Sequence, residues 1–123
     1  MVPLNIALLD KEGIVALYRH PKTGSKSSII FKYSDAKILK VKGRTLDNVL
    51  NELKICNAQW IKIDAEGAEM LILKGAEKLL NNKDINIILQ THDELIDKEI
   101  RCYLKSKGFK VLNIDHEGLY AYR

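Results

Sequence analysis

Asp64, Glu66 and Glu69 put three carboxylates within six residues, in the stretch Ile63-Asp64-Ala65-Glu66-Gly67-Ala68-Glu69. Acids at this density suit electrostatic stabilisation, proton transfer or the holding of a cation. Capping a helix N-terminus uses one or two of them, and each such contact contributes about 0.3 to 1 kcal/mol. The remaining charge repels its neighbours unless a ligand or a proton relieves it. His92 adds an imidazole, the side chain that exchanges protons near neutral pH, provided the fold brings it to the same place.

The elements that must position these groups are readable from apolar spacing. Trp60, Ile61 and Ile63 read as a short strand buried on both faces and ending at Asp64. Gly67 permits a sharp reversal, and Ala68, Leu71, Ile72 and Ala76 then follow helical spacing, which the chain continues to Leu80. Asn81 to Asp84 break that helix, and Ile85 to Leu89 read as a second buried strand. Strand-helix-strand crossovers are overwhelmingly right-handed with parallel strands, so Gln90, His92 and Asp93 are expected on the same rim as Asp64. In open α/β sheets that rim is where ligands bind.

The remaining segments frame this unit. Leu4 to Leu9 and Ile14 to Tyr18 read as a hairpin turning at Gly13, followed by a hydroxyl-rich loop from His20 to Ser28. Ile29 to Tyr33 and Ala36 to Lys42 read as a second hairpin, and Leu46 to Leu53 as a helix capped by Thr45 or Asp47. A helix from Ile96 to Ser106 ends near Gly108, and Phe109 to Ile114 pairs with Leu119 to Tyr122 as a closing antiparallel hairpin. His116 and Glu117, on its turn, read as solvated.

At 123 residues the chain suits a single domain. Its 20 basic and 16 acidic residues are interspersed, without the basic stripe and interleaved aromatics of a nucleic-acid surface, so no nucleic-acid partner is expected. Cys56 and Cys102 form no Cys-x-x-Cys pair and read as reduced core residues. No apolar run approaches the roughly 20 residues of a membrane span, and no signal segment is evident, so a cytoplasmic location is expected.

The stretch Ile61 to Glu69 with Leu73-Lys74-Gly75-Ala76 resembles the signature of the FkbM family of S-adenosylmethionine-dependent methyltransferases. Asn5-Ile6-Ala7-Leu8 with Asp10 and Gly13, the pair Ser27-Ser28, Thr45-Leu46-Asp47 and the closing Gly118 to Arg123 fall in family order. The resemblance implies an α/β fold, a partial class I methyltransferase (Rossmann-like) sheet of mostly parallel strands with flanking helices and a C-terminal antiparallel hairpin. It implies O-methylation of a small-molecule or sugar hydroxyl, with Asp64, His92 and Glu66 as the catalytic group. Asn5 and Asp10 would touch the cofactor, and Ser27, Ser28 and Glu69 the substrate. No metal is implied, since Gln90 stands where family members commonly carry an acid.

Before residue 40 the only glycines are Gly13 and Gly24, neither of which follows a buried strand, so the glycine-rich loop that holds the methionine end of the cofactor is missing. In family terms the chain starts near the third strand, as a truncated or split domain would. Two readings stand: a methyltransferase completed by a second copy or by a partner chain, and a non-catalytic binding or assembly module that kept the fold. A small metal-assisted hydrolase built on Asp64 and Glu66 is a third. The strand at Trp60 would be left with an open edge, so self-association, or cover by the first hairpin, is expected.

Overall fold

The computed structural model describes residues 1–22, 27–32 and 34–123. In chain order the elements are β1 (Ile6–Leu8), β2 (Gly13–Arg19), β3 (Lys37–Arg44), α1 (Leu46–Glu52), β4 (Trp60–Ile63), α2 (Glu69–Lys74), α3 (Glu77–Leu80), β5 (Asn86–Gln90), α4 (Glu94–Ser106), β6 (Lys110–Asn113) and β7 (Gly118–Tyr122). They form two sheets, of order β1-β3-β2 and β4-β5-β7-β6.

The larger sheet carries the core. β4 and β5 are parallel, as their crossover requires, and β7 runs antiparallel between β5 and β6. Ile63, Ile87, Leu89, Leu119 and Ala121 point to one face, where they pack with Ile72 and Leu73 of α2 and Ile100 and Leu104 of α4. Trp60, Lys62, Asn86, Ile88, Gln90, Tyr120 and Tyr122 alternate onto the other face, and none of them is buried. Both strands are thus half-buried, and β4 is an edge strand, contrary to the expectation of a strand buried on both faces.

The expectation of mostly parallel strands is also corrected. β1–β3 and β4–β5 are parallel, whereas β2–β3, β5–β7 and β6–β7 are antiparallel, so both sheets are mixed. The expected hairpin of Leu4–Leu9 with Ile14–Tyr18 does not form, because β3 inserts between the two segments. Residues 29–32 form no strand, although Tyr18 pairs in an isolated bridge with Ser28; Tyr33 lies outside the described residues. β4 bonds to β5 alone among the described strands, so the first hairpin does not cover its edge.

The expected helix from Ala68 to Leu80 divides at Gly75. The chain after β1 crosses α2 here so closely that a Cβ on Gly75 would overlap the carbonyl oxygen of Leu9. Asp47 then supplies the cap that α3 lacks from its own sequence, accepting from the amides of Lys78 at 2.8 Å and Leu79 at 3.0 Å. Thr45 caps α1 by accepting from the Asn48 amide. Thr45-Leu46-Asp47 is therefore a packing motif: two helix caps around a leucine packed on the core. Arg123 closes the fold by donating to the carbonyls of Leu80, Asn82 and Lys107 and lying 4.2 Å from the Phe109 ring centroid. Cys56 and Cys102 are exposed, not core residues; Cys102 faces solvent on α4 and Cys56 follows α1.

Arg44 ties the small sheet to α1. Its Nη atoms donate to both Glu52 oxygens, and its Nε makes an ionic contact with Glu12 at 2.6 Å, poorly aligned for a hydrogen bond. Hydrogen bonds from Asn48 and the Thr45 amide hold the Glu12 carboxyl below its usual 4.5, and Arg44 does the same for Glu52. A carboxyl with a depressed folded pKa contributes stability above its unfolded pKa and loses it as pH falls through the folded one. Urea midpoints are therefore expected to hold steady from pH 7 to about 5 and to fall below about 4.5, with Glu12→Gln giving a flatter acid limb. An unchanged acid limb in Glu12→Gln would exclude this contribution.

Candidate active site

The parallel pairing of β4 and β5 places Asp64 and His92 side by side beyond the strand ends. His92 Nε2 lies 3.5 Å from Asp64 Oδ1, and both side chains are partly exposed, 33% and 40%. The closing hairpin adds a residue that local reading treats as solvated. Because β7 runs antiparallel to β5, the turn before β7 arrives at the same rim, with Glu117 Oε2 3.8 Å from His92 Nδ1 and accepting from Gln90 Nε2 at 3.2 Å. Asp115 fixes that turn by accepting from the amides of Glu117 and Gly118, and these bonds hold its carboxyl below the usual range. The signal for Glu117 is topological: a final strand that returns beside β5 must begin at this rim.

The imidazole thus stands between two carboxylates, both in electrostatic reach. The three side chains form a polar, partly exposed edge at the ends of the strands. Asp93 does not join this group, because it caps α4 through the amides of Leu95 and Ile96. Beside His92 a cleft of about 250 Å³ is bounded by Thr91, Glu94, Lys98, His116 and Glu117.

The other carboxylates of the acidic stretch have different surroundings. Glu69 is 1% exposed, and its Oε1 accepts from the amides of Ala65 and Gly67, both at 3.1 Å. It holds the turn from within, out of reach of a solvent-borne substrate. Glu66 has a left-handed backbone, φ 48°, and its carbonyl accepts from Ser28 Oγ at 2.8 Å; its half-buried carboxylate makes no ion pair or hydrogen bond with the described residues. Gly67 follows with φ 100° and lies against the Phe31 ring, where a Cβ would collide.

Ser28 is likewise a fastening, 2% exposed. Besides donating to Glu66, its Oγ accepts from the amides of Ile30 and Phe31 at 3.0 and 3.1 Å. Ser28→Ala is expected to cost about 1 to 3 kcal/mol, since it removes three hydrogen bonds that converge on one buried hydroxyl. The check is the urea midpoint, and an unshifted midpoint would point instead to a role in binding.

Asn5 and Ser27 border an apolar cavity of about 220 Å³ between β1 and the acidic turn, where Ala65, Ala68 and Ile72 form the far wall. Ala65, the neighbour of Asp64 in the chain, is the point at which this cavity comes nearest in sequence to the rim. Asp10, expected beside Asn5, lies beyond the other end of β1 and borders a separate hollow with Tyr18 and Ile30. The structure therefore joins Asp64, His92 and Glu117 at the rim and Asn5 with Ser27 at the cavity, and leaves Asp10 apart.

The fold is thus an α/β domain with an imidazole between two carboxylates at the ends of parallel strands. The methyltransferase FkbM domain model matches residues 5–111, and the chain belongs to that family. No curated protein and no solved structure matches the chain. Among the described residues no helix is long and apolar enough to cross a membrane.

Proposed function

We propose that this domain serves transfer of a methyl group to a hydroxyl of a small molecule or sugar, with His92 as the base. The observation that carries the proposal is the 3.5 Å approach of His92 to Asp64 on the rim of two parallel strands. His92 accepts the hydroxyl proton, while Asp64 and Glu117 orient the ring and stabilise the imidazolium that results. The half-buried Glu66 carboxylate is the third rim acid and serves to orient the acceptor.

S-adenosylmethionine, the cofactor implied by the family, supplies the methyl group as a sulfonium. The apolar cavity beside Asn5 and Ser27 offers a slot for a flat heterocycle. The described residues do not fit the whole cofactor: none of their glycines lies on a loop leading from a buried strand into a helix N-terminus at the rim, apart from Gly67, whose open side Phe31 fills. That mismatch favours a second reading, a binding or assembly module that retains the fold, and it favours a homodimer or partner chain as the source of further contacts.

Calorimetry with S-adenosylmethionine decides between the readings. Binding near 100 μM, about 5.5 kcal/mol, with methyl transfer to a hydroxyl acceptor that is lost in His92→Asn, supports the enzyme. No heat at millimolar cofactor, in a protein folded by circular dichroism, favours the module.

A further inference from the structure

Pairing along the free edge of β2 begins at one residue and then stops. Tyr18 and Ser28 exchange both backbone hydrogen bonds of an antiparallel pair, Tyr18 N to Ser28 O at 2.8 Å and Ser28 N to Tyr18 O at 3.0 Å. In that register the next pairs are Ala16 with Ile30 and Ile14 with Lys32. Backbone groups alternate in direction along a strand, so Ala16 and Ile14, like Tyr18, turn theirs away from β3. Neither finds a partner on that side among the described residues. The Ser28 hydroxyl diverts the chain instead, because its Oγ accepts from the amides of Ile30 at 3.0 Å and Phe31 at 3.1 Å. A hollow of about 280 Å³, bordered by Val15, Ala16, Ile30 and Lys32, is left beside the edge. The bend carries Phe31 to Gly67, where its ring fills the space that a Cβ would occupy. Ile30 and Phe31 stay 42% and 38% exposed there.

We propose that residues 29–32 form a strap with two positions: latched, with Phe31 over Gly67 of the acidic turn, and zipped, as a further strand on the free edge of β2. The Ile30 amide has an acceptor in each, Ser28 Oγ when latched and the Ala16 carbonyl when zipped. Zipping gives partners to the edge groups of Ala16 and Ile14. It also sets Phe31 opposite Val15, since residues two apart along a strand share a face and Ile30 takes the other. Latching keeps the ring on Gly67 and the Phe31 amide on Ser28 Oγ. Each position satisfies groups that the other leaves open, which is the balance a two-state segment needs. A ligand that approaches the backbone at Gly67 meets Phe31 first, so it binds the zipped position alone and draws the strap to β2. The strap thus governs access to the turn between Asp64 and Glu69, whichever reaction the rim performs.

The test needs no cofactor. In a Cys56→Ser, Cys102→Ser background, Ala16→Cys with Ile30→Cys is expected to close a disulfide on oxidation, since a hydrogen-bonded antiparallel pair has Cα atoms about 5.5 Å apart. In the oxidised protein the Gly67 Hα resonances are expected to lose the ring-current shift that Phe31 imposes, and to regain it on reduction. An oxidised protein that keeps this shift overturns the proposal, as does failure to crosslink in a variant folded by circular dichroism. Ala16→Pro carries the test if the cysteine pair does not fold. Its ring replaces an amide that points away from β3, which an edge strand tolerates, and it removes the donor that zipping needs. Relaxation dispersion is expected at Ile30, Phe31 and Gly67 of the wild type with one shared rate, and is expected to vanish in Ala16→Pro. Its absence from the wild type, or its survival in Ala16→Pro, overturns the strap.

Discussion

Glu69→Ala is expected to destabilise the domain by about 2 to 4 kcal/mol, whereas Glu69→Gln costs well under half of that. Glu69 Oε1 accepts from two backbone amides, those of Ala65 and Gly67. They belong to a turn that no strand or helix ladder satisfies, and the side chain beneath them is 1% exposed. Alanine leaves the donors without a partner and removes a buried side chain, so desolvation and cavity costs add. Glutamine retains a carbonyl oxygen in the same place. The measurement is the urea midpoint of both variants beside wild type at constant m. If Glu69 instead served the substrate, both variants would keep the midpoint and lose binding.

The same residue shows how far the sequence could be read. The acidic stretch, its place between a strand and a helix, and the parallel return that brings His92 to Asp64 all follow from local spacing and the handedness of crossovers, and the structure contains them. The division of labour among the acids does not follow from spacing. Asp64, Glu66 and Glu69 are alike in sequence, and only the path of the turn decides that one faces solvent, one stands half-buried and one points inward. Glu117 was hidden for a related reason: its partners, Gln90 and His92, are set by a strand pairing far away in the chain.

The small sheet was misread through tertiary context. Leu4–Leu9 and Ile14–Tyr18 have the composition of a hairpin, but β3 offers both of them a longer and better partner, pairing seven residues with β2 alone. Local turn chemistry at Gly13 cannot register that competition. Likewise Ile61 and Ile63, separated by one lysine, look alike whether the strand is central or an edge. The alternation that settles it, Trp60 and Lys62 outward against Ile61 and Ile63 inward, has meaning only once the helices are known to lie on one side.

His92→Asn and Asp64→Asn are expected to lower methyl transfer by about 100-fold to 10,000-fold and by about 10-fold to 100-fold respectively, with unfolding free energies within about 0.5 kcal/mol of wild type. Neither side chain is buried, and neither satisfies a buried amide, so the fold gives little when they change. The size of the kinetic effect separates their roles. In the proposed reaction His92 takes the proton itself, and asparagine, although close in shape, has no basic nitrogen to replace it. Asp64 acts through the ring, and at 3.5 Å it shares that duty with Glu117 on the opposite nitrogen. Loss of one acid therefore leaves the imidazolium half supported, whereas Asp64→Asn with Glu117→Gln is expected to fall further than either change alone. The double variant carries the sharper test. If Asp64→Asn with Glu117→Gln falls no further than Asp64→Asn alone, the two acids do not act through His92, and the rim is left as a surface for binding alone.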